Sequence, residues 1–210
     1  MEELFRLEGT VYQILSKVQA LLVLNFWLVV TSIPIITLGA SQAAGFYVLT
    51  KIMERNDYRV SSNFWRAFVK NGRQCTYISF LLLILAGCLF VNTYYLTFVN
   101  PSIIILASSF VLLFCWLHLF QFVFYFVQRY EGSVIEHIRN SFKVYLQFPK
   151  DVLFIHLSYL IILCLWFVSP YWSLFITFFG LFIGSSVHSF IRYLVMRKIS
   201  SKIEVRKEWL

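Results

Sequence analysis

Three stretches of this chain contain no Asp, Glu, Lys or Arg: residues 18–50, 74–128 and 152–191, which are 33, 55 and 40 residues long. A helix crosses a membrane in about 20 apolar residues, with a range of roughly 17–25. Each run is too long for one comfortable crossing and suits two crossings joined by a turn. Charged residues make up 13% of the 210 residues, and hydrophobic ones 60%. A soluble domain carries about 25% charged residues. The pattern therefore predicts an all-α integral membrane helical bundle, one membrane domain over residues 1–210, with six transmembrane helices arranged as three hairpins.

Turn signals sit inside each run. The first holds Thr31, Ser32, Pro34, Thr37 and Gly39 near its middle. Proline lacks a backbone N–H and fixes φ, so it suits a helix start and spoils a helix interior. One helix is expected down to about Ser32 and a second from about Pro34 to Arg55, with Ser32 or Thr37 supplying the capping oxygen. In the second run, Asn100 and Pro101 separate spans over about 75–96 and 102–126. In the third, Ser169, Pro170, Tyr171 and Trp172 separate 152–168 from 172–193. Trp and Tyr favour the membrane–water boundary.

The charges set the topology. With three hairpins, all 18 Lys and Arg fall on one face, which the positive-inside rule makes cytoplasmic, together with the N- and C-termini. A five-span alternative would export the charged N-terminal segment. The net charge of +8 then reflects membrane topology, and no nucleic-acid partner is expected. The parts, in order, are an amphipathic interfacial helix (1–17), hairpin 1 (18–55), a cytoplasmic interfacial segment (56–73), hairpin 2 (74–128), a cytoplasmic segment (129–151), hairpin 3 (152–196) and a basic cytoplasmic tail (197–210). Leu4, Leu7, Val11, Ile14, Leu15 and Val18 give the first part its apolar stripe. Ile199, Ile203 and Trp209 are expected to hold the tail on the anionic inner leaflet. The segment ahead of Leu21 carries Glu2, Glu3 and Glu8 against Arg6 and Lys17, which is not the basic start of a signal peptide.

Several residues are candidates for packing or binding. Ala40 and Ala44, with Ser41 and Gly45, form two small-xxx-small pairs that let membrane helices approach closely. Val48, one turn on, is expected to tolerate more bulk. Gly180 and Gly184 form a GxxxG pair expected at a tight crossing, within the chain or between two copies. His118, His156 and His188 reach a similar depth in the cytoplasmic half of the membrane. Intramembrane ionisable groups are costly and often functional, but neutral histidines can also simply bond helices together. The four cysteines form no C-x-x-C pair. No metal and no cofactor are expected. All ten acids lie outside the charge-free runs, and no catalytic motif accompanies them, so no enzyme is expected.

The block formed by Trp27, Pro34, Thr37, Gly39, Ala40, Ser41, Ala44 and Tyr47 resembles the signature of the YesL-type bacterial membrane proteins. FWRAF (residues 64–68) and IRNSF (residues 138–142) resemble that family's cytoplasmic blocks and echo each other. The resemblance implies a small multi-pass protein of the bacterial plasma membrane. Such proteins are of unassigned function and are often encoded beside sugar-uptake ABC transporters and polysaccharide-degrading enzymes. It carries over no catalytic residue. Two roles follow: an accessory or regulatory partner of a carbohydrate transport system, or a small oligomeric transporter or channel for a carbohydrate or other small solute. The partners in view are the lipid bilayer, an ABC sugar transporter and a second copy of the chain.

Overall fold

The computed structural model describes residues 10–99 and 102–206. The helices are α1 (Thr10–Ser32), α2 (Leu38–Arg55), α3 (Val60–Phe98), α4 (Ile103–Arg129), α5 (Val134–Gln147), α6 (Pro149–Val168), α7 (Pro170–Phe179) and α8 (Ser185–Arg206). A 3-10 turn, Ile35–Thr37, leads into α2, and a π-helical segment, Gly180–Gly184, joins α7 to α8. Six helices are long and apolar enough to cross a membrane, counting Pro170–Glu204 as one. The chain is a helical membrane bundle.

Local chemistry explains the boundaries. Pro34 is extended (φ −75°, ψ 115°) and stops α1 from continuing. Thr37 does not cap α2 with its side chain. Its hydroxyl instead donates to Thr31 O at 2.6 Å and Pro34 O at 2.8 Å, which seals the turn. Asn56 ends α2 in the left-handed region (φ 49°), a conformation Asn tolerates better than most residues. Beyond it Arg59 clasps Asp57 at 3.0 Å and holds that carboxyl well below the usual carboxylate range. Ser133 and Glu136 form a reciprocal capping box on the amphipathic α5. Pro149 and Pro170 stand at the starts of α6 and α7, where a missing N–H costs nothing.

Helix α2 is the most buried of the six and lies at the centre. Its Ala40, Ala43, Ala44, Phe46, Val48 and Leu49 are buried against Leu24 and Leu28 of α1, Phe64 and Ile78 of α3, Phe122 and Tyr125 of α4, and Tyr193 and Met196 of α8. Small residues permit this crowding. A Cβ on Gly45 would stand 2.9 Å from Leu28 Cδ2, and one on Gly39 would run into the Phe124 ring and Ser79 Oγ. The Gly39 N–H donates to that hydroxyl at 3.1 Å.

Four departures from the sequence reading concern helix extent and burial. Residues 10–17 continue α1 without a break, since they hold no Gly or Pro to end a helix; residues 1–9 lie outside the described residues. Residues 60–73 are likewise the first part of the 39-residue α3, not a separate interfacial helix. Ile199 and Ile203 are core residues, not lipid anchors, because α8 continues along the bundle beyond the last membrane-depth turn. Trp209 lies outside the described residues. Val48 is fully buried and has no room for bulk.

Ala44 is fully buried too, so Ala44→Leu must force helices apart. Over-packing costs about 1–3 kcal/mol, and ~1 kcal/mol moves a midpoint by about 2–4 °C in a chain of this size. Thermal denaturation in detergent should show a drop of several degrees for Ala44→Leu. Val18→Leu, on the exposed face of α1, should melt like the wild type. Equal melting of all three would contradict the packing.

Candidate functional site

The signature block assembles the N-terminal half of the bundle. Trp27 Nε1 donates to Ser61 Oγ at 2.9 Å, and its ring stacks on Phe64 with an edge contact to Trp65. The FWRAF segment thus folds onto the first block. Ser41 Oγ donates to Leu28 O at 3.2 Å and accepts from Ser32 Oγ at 3.1 Å. Tyr47 lies under the Lys51 ammonium at 5.2 Å. The Trp27 and Ser41 contacts join helices, whereas the Tyr47 contact stays within α2. In the second cytoplasmic block, Ser141 accepts through its carbonyl from His118 Nε2 at 2.7 Å.

The three histidines divide into a pair and a single residue. His118 and His156 stack with ring centroids 5.6 Å apart, flanked by Phe114 and Phe122. His156 Nδ1 donates to Val152 O, one turn back on its own helix. This pair ties α4, α5 and α6 together. His188 stands apart, against Tyr159. Equal depth along three helices did not bring all three to one point. Among the described residues, no three His, Cys, Asp or Glu are grouped to hold a metal ion.

The Gly180–Gly184 segment crosses α1 closely, but not through a surface that its glycines open. Open space lies where a Cβ on Gly180 would sit, and a Cβ on Gly184 would meet Phe179 of its own helix. The contact to α1 is made by Asn25. Its amide donates to Leu181 O at 2.7 Å, and its oxygen accepts from Ser186 N at 2.9 Å. A π segment misaligns the backbone groups of one turn, and Asn25 satisfies two of them from the neighbouring helix.

One charged group at membrane depth has no acid bonded to it among the described residues. Arg192 is 2% exposed. Its guanidinium donates to Gln42 Oε1, to Ser189 Oγ at 3.2 Å and to Gln121 O at 3.5 Å, and lies 5.0 Å from the Phe46 ring centre. Its Nε has no partner, and neither does either polar atom of the buried Gln121 amide. No acid lies in any charge-free run to balance it. Burying a charge costs several kcal/mol. Charge-assisted hydrogen bonds return about 1.5–3 kcal/mol each, and the ring contact adds up to about 2. The cluster is rich in donors and short of an anion, so it suits an oxyanion or ordered water. Sequence reasoning did not take Arg192 as a site residue. The signal it missed was a lone basic residue directly after a 40-residue charge-free run.

Below this cluster, charges clasp the C-terminal ends of α2, α4 and α8. Arg129 bonds Glu54 at 3.3 Å and Glu204 at 3.1 Å, and Tyr130 adds a hydroxyl bond to Glu204 at 3.0 Å. Tyr125 and Ser200 share a further bond at 3.0 Å. Beside the clasp opens a cavity of about 420 Å³ whose walls include Glu131, Glu136, His137, Arg139 and Lys143. Burial holds the His137 imidazole below its ordinary value, so it stays neutral near pH 7. The acids and bases around this cavity balance, and no single ligand charge is selected.

Residues 21–93 match a family model described as "Protein of unknown function, DUF624". The match covers most of α1, all of α2 and most of α3, where the signature block and FWRAF meet. No curated protein and no solved structure matches the chain.

Asn25 offers a direct test of this geometry. Asn25→Leu keeps the branched shape and heavy-atom count but strands Leu181 O and Ser186 N at membrane depth. Each stranded buried group costs about 1–3 kcal/mol. Thermal melting in detergent should fall by at least several degrees. Unchanged melting would show that the π segment finds its partners elsewhere.

Proposed function

We propose that this chain is a non-enzymatic accessory or regulatory protein of a bacterial plasma membrane, working beside a carbohydrate-uptake system. The observation that carries this reading is how the bundle uses its polar side chains. Asn25, Ser41, Ser79, Asn92 and Trp116 all bond another helix or the hairpin partner. A solute path needs such groups free along its length, whereas a scaffold spends them on rigidity. The likeness of the first block to YesL-type proteins supports the link to sugar uptake. An ABC sugar transporter is the partner this reading favours, with a second copy of the chain as the other.

A second reading has one observation in its favour. Arg192, with its free Nε and the open Gln121 amide beside it, suits a small transporter that binds an anionic solute. Intramembrane charges mark such paths in many transporters.

One purification separates the two. A tagged chain isolated from its native membrane in mild detergent should bring down a transporter subunit at near-equal amounts, and Arg192→Gln should leave that recovery intact. Recovery of the chain alone, together with solute uptake by liposomes containing only this protein that is lost in Arg192→Gln, would overturn the accessory reading.

A further inference from the structure

Hairpin 1 is shorter in reach than its neighbours. The Gly39 N–H bonds Ser79 of α3, and Ile35 and Leu38 face Leu82, Leu83, Ala86, Trp116 and Phe120 across a small recess. The tip of the hairpin therefore stands no higher than Ala86 on α3 and Trp116 on α4. Helix α3 runs on from Ala86 to Phe98, and α4 begins back at Ile103. At 1.5 Å per residue, hairpin 2 rises about 18–20 Å beyond the tip. That exceeds half of a hydrocarbon core of about 30 Å.

The surface of that extra length fixes where the membrane lies. None of residues 83–99 or 102–116 is buried, and Phe90, Phe98, Ile103, Ile104, Phe110 and Val111 are all exposed. If the tip lay at the outer surface, this apolar hairpin would stand in water. The basic residues agree. Lys51 on α2, Arg73 on α3 and Arg129 on α4 all lie on the order of 20 Å below the tip, counting from Leu38, Ala86 and Trp116. A tip at the outer surface would leave all three about 10 Å inside the hydrocarbon. A tip at mid-depth places all three among the headgroups, where Lys and Arg belong.

The turn is also built for lipid. Ile33, Ile35 and Ile36 are exposed at the tip. Thr37 spends its hydroxyl and its N–H on the carbonyls of Thr31 and Pro34, and Pro34 has no N–H to satisfy. An unanswered backbone group costs several kcal/mol in lipid, so these internal bonds lower the cost of placing the turn at membrane depth. The other two turns carry Asn100 and Pro101, and Tyr171 and Trp172, residues suited to an interface.

We propose that hairpin 1 is re-entrant. It enters from the cytoplasmic face, turns over residues 33–37 near the bilayer midplane, and returns to the same face. Although α1 and α2 are long enough to cross, the chain then crosses four times, through α3, α4, α6 and the α7–α8 helix. Both termini stay on one side, so the charge pattern is unchanged. Gln42 lies four residues below Leu38, about 6 Å, so the Arg192 cluster sits close to mid-depth.

The test uses single cysteines at Ile35, Asn100 and Ser169 in a chain whose four native cysteines are replaced by Ala. A bimane label attached at each in detergent, followed by reconstitution, reports depth through quenching by brominated lipids. Ile35→Cys should be quenched most by lipids brominated deep in the acyl chain, and Asn100→Cys and Ser169→Cys by those brominated near the headgroup. On intact cells, an impermeant maleimide should reach the last two and not Ile35→Cys. Ile36→Cys serves as a second tip position if the first variant fails to fold. Headgroup-level quenching at the tip, or its labelling from outside, would overturn the proposal.

Discussion

The close approach of α2 to its neighbours is the contact on which the rest of this bundle depends. Lipid is as apolar as leucine, so burial alone does not draw membrane helices together; packing and hydrogen bonds must. Gly39, Ala40, Ala44 and Gly45 give α2 a thin surface. Leu28, Phe124 and Ser79 fill the space a larger residue would take. That approach brings Gly39 N to Ser79 and Ser41 to Leu28 O. It also lets Phe46 reach Tyr125 and Arg192. Thicken α2, and the hydrogen bonds at both of its ends lengthen together.

Above and below this contact the bundle changes character. At their C-terminal ends, α2, α4 and α8 are clasped by Arg129, Glu54, Glu204 and the nearby tyrosines. Toward the other side, α3–α4 and α6–α7 expose apolar surface along their length. Arg192 lies between these zones, at the depth where a charge is expensive. It is held by amide and hydroxyl oxygens and an aromatic face, with no carboxylate among its partners. That arrangement keeps the guanidinium in place while leaving donor capacity unspent, so this position joins the structural core to any ligand chemistry the protein performs.

Much of the helix order was legible in the sequence because lipid imposes a strict rule: charge-free length becomes helix, and proline with small polar residues becomes turn. The charge-free runs, Pro34 and Ser169 read correctly for that reason. What the sequence did not give was register. Counting residues placed three histidines at one depth, but only His118 and His156 share a helix interface. Gly180 and Gly184 matched a packing motif, yet the segment winds as a π turn and is gripped by Asn25 from 155 residues or more away in the chain. Ile199 and Ile203 look the same in a membrane-bound tail as in a core, because periodicity does not say what lies opposite. The depth of hairpin 1 depends on which residue of α3 meets Gly39, and composition carries no record of that.

The central claim, that close packing around α2 organises the fold, is tested by one chemical change made at two places. A methyl group added at Gly39 must displace the Phe124 ring and Ser79, whereas at Gly87 on the outer half of α3 it meets nothing within 4 Å. Helix propensity favours Ala over Gly by about 0.8–1.0 kcal/mol in a helix interior such as Gly87 and does not penalise Ala in the first turn at Gly39, so a loss at Gly39 comes from packing. In detergent, Gly39→Ala should melt several degrees below the wild type, and Gly87→Ala at or above it. If Gly39→Ala melts as high as Gly87→Ala, α2 is not the close-packed centre described here.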